Sequence, residues 1–269
     1  MKIVFWSPVH GQTAMTSNFL MISLIAGILL KKKALITQTH FSFNNLEAPL
    51  VESNSKENSA YFLDIGIDAL IRDFKSDKIV KKMIENCSIP IEDTNVTLLP
   101  GTIKTNRSSF DYEMDKVAPT LLKVIEEHYE VVFVDASPSA NGLSMNLIND
   151  ANLVVVNMSQ NLGIIDLFNK EYKEKISTKI FYLFGFYDSN SKYNISNLRR
   201  RYKEIKFNNS GTIPYNTAFK DALIDSNVVS FVKKCISNPN KSEMYFIKKS
   251  ISSAEKIIKL AENKQGAYK

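Results

Sequence analysis

The chain has 269 residues, 44% hydrophobic and 23% charged, the balance of an ordinary globular protein with a core of useful size. A net charge of +6, from 34 basic and 28 acidic residues, permits an acidic partner such as DNA or an anionic membrane without demanding one. Cys87 and Cys235 stand far apart and exclude a disulfide framework, which fits a reducing, cytoplasmic setting; His10, His40 and His128 form no spaced metal motif.

Taken in order, Lys2–Trp6 (KIVFW) predicts a short apolar strand, followed by a polar loop and a buried helix from about Thr16 to Lys31. The apolar run inside that helix, Phe19–Leu30, is too short to cross a bilayer, which takes about 20 apolar residues. The strand-like start ahead of it is not the basic opening of a signal peptide. Ala34–Thr37 reads as a second strand. Polar Glu52–Ser59 comes next, then amphipathic segments at Ile67–Phe74 and Ile79–Ile84. Val96–Leu99 predicts a strand stopped by Pro100-Gly101, and a helix follows from about Tyr112 to His128, with Val117, Leu121, Val124 and Ile125 at helical spacing.

Val131–Val134 is a fully apolar strand ending in Asp135. Leu153–Val156, Ile180–Phe184 and Gly211–Tyr215 are further strands, and helices at Thr217–Asp225, Val228–Cys235 and Ser242–Asn263 close the chain. Continuous β-branched and aromatic runs mark strands buried on both faces, as a parallel sheet requires, with helices as crossovers. The expectation is an α/β fold: one three-layer domain over residues 1–269, with a mostly parallel central sheet flanked by helices and helical segments at about 217–263. There is no internal repeat, low-complexity tract or linker.

In such a sheet ligands sit at the carboxyl ends of strands, where loops feed helix N-termini. The first of these loops, Ser7–Asn18 (SPVHGQTAMTSN), has the strand-loop-helix setting of a phosphate-binding P-loop. The third, Tyr129–Pro138 (YEVVFVDASP), places the carboxylate of Asp135 at the end of a buried strand, where it either contacts Mg²⁺ through water or caps the following turn.

With these loops the chain resembles the ParA/MinD family of P-loop ATPases. The family's deviant Walker A loop, Lys-Gly-Gly-x-Gly-Lys-Thr-Thr, falls on His10, Gly11, Gln12, Thr13, Ala14, Met15, Thr16 and Ser17. Gly11, Thr16 and Ser17 match. His10 stands where the family has the lysine that crosses a dimer, and Met15 where it has the lysine that holds the β- and γ-phosphates. Ala14 and Gln12 carry a Cβ where the pattern has glycine. The resemblance implies ATP or ADP with Mg²⁺ as ligands, with Thr16 and Asp135 on the metal; with the loop's lysines replaced, the alternative is the same fold binding no nucleotide. In the second loop, Thr37-Gln38-Thr39-His40, threonines occupy the family's aspartate positions and supply no carboxylate for an attacking water.

Asn152–Asn157 resembles the family's next strand, and Ile213-Pro214-Tyr215-Asn216 its turn near the adenine, which puts Pro214 and Tyr215 in the nucleotide site. Gly185-Phe186-Tyr187-Asp188 departs from the adenine-contacting asparagine of many relatives. The run Tyr187–Asn194 looks most like the TadZ/CpaE pilus-localisation branch. The resemblance covers roughly Met1–Phe231. It implies a localisation or assembly scaffold with at most slow ATPase activity, a nucleotide-modulated homodimer, and protein partners in a pilus, secretion or partition complex at a pole or membrane.

The alternative is a partition ATPase holding DNA non-specifically through Arg199, Arg200 and Arg201, which equally suit a solvated helix C-terminus. The terminal helix has an amphipathic face (Phe246, Ile247, Ile251, Ile257, Ile258, Leu260) fit either to pack on its own domain or to lie on a membrane, as in MinD. No GxGxxG follows a strand, which disfavours a Rossmann oxidoreductase.

Overall fold

The computed structural model describes residues 1–40, 46–51, 65–76, 81–102, 104, 106–138 and 141–263. The polar stretch at 52–59 and residues 79–80 of the second amphipathic segment lie outside the described residues.

Among the described residues eight strands form one sheet: β1 (Lys2–Trp6), β2 (Ala34–Gln38), β3 (Ile89–Pro90), β4 (Val96–Leu98), β5 (Val131–Asp135), β6 (Leu153–Met158), β7 (Ile180–Tyr187) and β8 (Ser210–Pro214). Their order is β3-β4-β2-β5-β1-β6-β7-β8. Every pairing is parallel except the short antiparallel edge of β3 on β4. β1 lies at the centre, with Phe5 opposite Asp135 of β5 on one side and opposite Val155 of β6 on the other. Each residue of β1, β2, β5, β6 and β8 is buried, as expected of strands covered on both faces.

Alternate residues feed two cores. Ile3, Phe5, Phe133, Val155 and Leu183 pack with α1 (Met15–Ile28), α10 (Val228–Ser237) and α11 (Lys241–Glu262). Val4, Trp6, Val132, Val134 and Val156 face α5 (Arg107–Glu126) and α7 (Leu162–Glu171). The result is the three-layer α/β fold expected from the strand runs.

α1 is apolar all round and buried from Asn18 through Gly27. A Cβ on Gly27 would lie 2.3 Å from Val96 Cγ2, so glycine there lets the helix close on β4. The helix stops at Ile28, short of the expected Lys31, because Lys31 takes a left-handed φ of 54° and the Lys32 amide turns back to the Ala26 carbonyl. α5 begins at Arg107, ahead of the expected Tyr112. Buried Phe110 and Met114 extend its apolar stripe by more than a turn, in a stretch whose polar residues disguise the period.

Short elements given no range in the sequence reading include α2 (Glu47–Leu50), α6 (Gly142–Asn149) and α7, while the helix end expected at Arg199–Arg201 is that of α8 (Ile195–Arg201). Three share one device: Asn141, Asn161 and Asn194 each accept a backbone amide of the first turn of α6, α7 or α8. α9 (Thr217–Ile224) and α11 use Asn216 and Asn240 the same way, the latter in a reciprocal capping box with Glu243.

The amphipathic face of α11 packs within the fold. Phe246, Ile247, Ile257 and Ile258 are buried against the α1 face of the sheet, and Ser253 Oγ donates to the Thr212 carbonyl while accepting its amide. No described helix is long and apolar enough to cross a membrane.

Phe246 stacks on Phe219 at 5.2 Å and Phe231 at 6.2 Å between ring centroids. Phe246→Ala is expected to destabilise the fold by about 3–5 kcal/mol, against about 0.5 kcal/mol or less for Lys248→Ala on the exposed face. Urea unfolding read by circular dichroism checks both.

Candidate nucleotide and cation site

The loop between β1 and α1 is held by polar contacts from below. Ser7 Oγ donates to the Val9 carbonyl at 2.8 Å and accepts from the Val9 amide at 3.3 Å and Thr13 Oγ1 at 3.0 Å. Asn18 Nδ2, one turn into α1, donates to the Thr13 carbonyl and to Asn157 Oδ1, both at 3.0 Å. Asn157 Nδ2 in turn donates to the Trp6 carbonyl, which ties the loop to the end of β6. A Cβ on Gly185 would sit 2.5 Å from the Thr13 carbonyl oxygen, so β7 approaches the loop where glycine alone fits.

The loop backbone turns through left-handed conformations at Gly11 (φ 72°) and Ala14 (φ 55°). Ala14, at φ 55°, therefore holds a conformation that disfavours a Cβ, at a cost of about 1 kcal/mol. His10, Gly11 and Gln12 are exposed, Thr13 is buried, and Ala14 through Ser17 are half-buried.

α1 has no side-chain cap and no acidic residue in its first turn. Its first amides and the positive end of its dipole are therefore open to an anion. This is backbone geometry of the kind that accepts a phosphate, and the loop from Ser7 to Ser17 contains no lysine or arginine to add a charge.

Asp135 closes β5 beneath this helix and is fully buried. Thr16 Oγ1 donates to its Oδ2 at 3.0 Å, and among the described residues Oδ1 has no hydrogen-bond partner. A buried carboxylate oxygen left without a partner is costly unless something supplies charge or donors. Together with the Thr16 hydroxyl this donor set fits a hard divalent cation such as Mg²⁺. Sequence reasoning paired Thr16 with Asp135, and the fold brings them into contact.

Two further features come from the end of β2. Among the described residues the buried Thr37 and Thr39 hydroxyls have no hydrogen-bond partner, and the Thr39 amide donates to the Asp135 carbonyl. His40 places Nε2 3.7 Å from Asp135 Oδ2, beyond hydrogen-bond range, with its side chain 11% exposed. His40 was quoted in the sequence only as part of its loop; its one signal is adjacency to the Thr-x-Thr pair.

At the far side Pro214 ends β8 and Tyr215 is 53% exposed. Its ring lies 6.2 Å from that of Phe186, itself 54% exposed and held at φ 47° where β7 slips register between Phe184 and Tyr187. That strained residue throws its ring outward beside Gly185, next to the Thr13 end of the loop. The sequence marked Gly185-Phe186 only as a departure from the family pattern. Asn216 is taken up as the cap of α9. The run at Tyr187–Asn194 is a turn in which Gln160 binds the Asp188 amide and carbonyl and Asn194 opens α8.

The arginine triplet lies in the last turn of α8, remote in sequence from these loops. Arg199 is engaged: its guanidinium donates to Ser210 Oγ and lies over the Phe207 ring at 5.2 Å. Arg200 and Arg201 are exposed. A cavity of about 800 Å³ opens at the opposite end of the strands, beside Met1, Asp150 and Lys179. Its lysines are already bound, Lys32 to Glu262 at 2.8 Å and Lys179 to the Leu260 carbonyl at 3.0 Å.

A parallel sheet with an uncapped helix N-terminus after its central strand, and a carboxylate at the end of the adjacent strand, defines a P-loop NTPase architecture. It is the fold of the ParA/MinD ATPases, and the neighbours among solved structures agree. The septum site-determining protein MinD complexed with Mg-ADP from Pyrococcus horikoshii superposes with a TM-score of 0.70 at 15% identity, over 97% of this chain and 98% of that one. A ParA family ATPase from Chlorobium tepidum gives 0.68 at 14% identity, over 94% and 98%. A putative plasmid partition protein from Borrelia burgdorferi bound to AMPPNP gives 0.65 at 16%, over 96% and 98%. No protein-family model and no curated protein matches the sequence.

Asp135→Asn removes a buried, half-satisfied charge while keeping the side chain's shape. Without added cation this variant is expected to be more stable than the parent protein by about 1 kcal/mol or more, and to lose any stabilisation by divalent ions. Thermal melts with EDTA and with MgCl₂ check both halves.

Proposed function

We propose that this protein is a cytoplasmic localisation or assembly scaffold of the ParA/MinD type, working as a nucleotide-modulated homodimer with weak or absent ATPase activity. One observation supports the proposal: Thr16 and Asp135 meet at an uncapped helix N-terminus, while His10 and Met15 stand at the family's lysine positions and Thr37 and Thr39 at its aspartate positions. Met15 stands at the helix N-terminus without a charge, and Thr37 and Thr39 occupy the strand end where an attacking water needs a carboxylate. Nucleotide then acts by binding. Its free energy shifts the dimer equilibrium to the extent that it prefers one state.

The nucleotide would lie with its phosphates on the Gly11–Ser17 amides, its cation on Thr16 and Asp135, and its base toward Pro214, Tyr215 and Phe186. His10, exposed on the rim of the loop, stands where the resemblance expects a cross-dimer lysine, so dimer contacts here would rest on other groups. The closest role is that of the TadZ/CpaE proteins, with a partner in a pilus, secretion or related complex at a pole or membrane. Its recruitment there would run through protein contacts, since the apolar face of α11 is already buried.

A second reading, a partition ATPase bound to DNA, draws support from exposed Arg200, Arg201, Lys203 and Lys206. Phosphate contacts of that kind weaken steeply with salt.

A lysine contact to a phosphate is worth about 1.5–3 kcal/mol, a factor of roughly ten to a hundred in affinity. Met15 is half-buried at the open helix end, so Met15→Lys is expected to tighten Mg·ATP binding by about tenfold or more in calorimetric titration. Steady-state hydrolysis by the parent protein is expected to equal that of Asp135→Asn. Turnover clearly above that variant would overturn the scaffold reading, and ATP-dependent, salt-sensitive retention of duplex DNA would replace it with the partition reading.

A further inference from the structure

The cation position has a nitrogen donor that a magnesium site does not need. His40 Nε2 and Asp135 Oδ2 are 3.7 Å apart, within ion-pair range but too far for a hydrogen bond. Two metal–ligand bonds of about 2.1 Å span that gap at an opening of roughly 120°, which an ion of open coordination accepts. Both side chains are enclosed: Asp135 is fully buried and His40 is 11% exposed. Asp135 Oδ1 and His40 Nε2 are each buried without a hydrogen-bond partner, and the Thr16 hydroxyl already rests on Asp135 Oδ2 at 3.0 Å.

We propose that His40 and Asp135, with Thr16 beside them, form a site for a divalent first-row transition ion, which this protein takes in preference to Mg²⁺. Mg²⁺ binds oxygen in a near-ideal octahedron and sheds water reluctantly, so an imidazole gains it little. Manganese, cobalt and zinc accept an imidazole nitrogen with increasing affinity, and the low count of protein donors leaves positions for water or a phosphate oxygen. The inference rests on Asp135 being the cation ligand of the proposed function. It adds that His40, which replaces no family charge, sets which cation enters.

The test uses the full chain without nucleotide and titrates Co²⁺ and Mg²⁺ separately, reading the Co²⁺ visible spectrum and the thermal stability given by each ion. The parent protein is expected to bind Co²⁺ with the absorption of a nitrogen-ligated, four- or five-coordinate ion. It should prefer Co²⁺ over Mg²⁺ by a hundredfold or more. His40→Ala should cut that preference at least tenfold while leaving Mg²⁺ binding unchanged, and Asp135→Asn should abolish both. A preference that survives His40→Ala, or that falls with His10→Ala or His128→Ala instead, would overturn the proposal. Near-ultraviolet circular dichroism of buried Trp6 shows whether each variant is folded, and His40→Asn, which keeps a polar side chain, serves if His40→Ala is not. Because nucleotide is absent, failure here leaves the nucleotide reading standing, and failure to bind ATP leaves this result intact.

Discussion

The burial of α1 fixes the site. From Asn18 through Gly27 every residue of this helix is enclosed, with Phe19 edge-on to Phe5 at 5.3 Å and Gly27 pressed on Val96. A helix gripped on all sides cannot slide or rotate without opening cavities that cost several kcal/mol. Its N-terminus is thereby held over the carboxyl end of β5, and Thr16 meets Asp135 with no local device to bring them together. The loop before it is free to vary because the helix after it is not. This lets the loop carry His10, Gln12, Ala14 and Met15 where the ParA/MinD pattern has lysines and glycines while the helix N-terminus still lies over the same space.

The large elements were legible because their burial is written in continuous apolar runs. Val131–Val134, Leu153–Val156 and Lys2–Trp6 admit no alternation, and a strand buried on both faces is the physical reading. Asp135 was legible for the same reason, as a charge at the end of such a run. Helix ends were not, since Lys31 stops α1 through a backbone conformation its side chain does not advertise. α6 and α7 were hidden by length: eight to ten residues with an asparagine cap look like loop until their packing is known.

The site was legible where it follows a linear pattern and illegible where it depends on the third dimension. His40 is 95 residues from Asp135 in sequence, and only the β2–β5 register, which sets Gln38 opposite Asp135, brings it within 3.7 Å. Phe186 was hidden for a different reason. A residue inside an aromatic strand run reads as core, and its exposure comes from a register slip and a positive φ that no side-chain pattern encodes. Outside glycine such a conformation costs of order 1–3 kcal/mol and persists only where its surroundings impose it.

The two ends of the sheet show what kind of place the site is. At the amino end of β1, Lys2 is as buried as any core residue, yet its ammonium is matched by Asp150 at 2.8 Å and Glu126 at 3.3 Å, and its amide by Asn152. That buried charge is paired on the spot, and the fold there is complete. At the carboxyl end, Asp135, Thr37 and Thr39 are equally withdrawn from water, His40 nearly so, and all four keep polar atoms with no hydrogen-bond partner among the described residues. Each such atom costs about 1–3 kcal/mol, so together they weaken a fold whose net stability is of order 5–15 kcal/mol. A scaffold that used only its outer surface would gain from apolar residues at these positions, as the rest of the sheet shows they fit. A ligand that supplies charge and donors turns the same atoms from a liability into an affinity. On this ground the carboxyl end of the sheet differs from the amino end: its buried polar atoms are arranged for a partner from outside the chain.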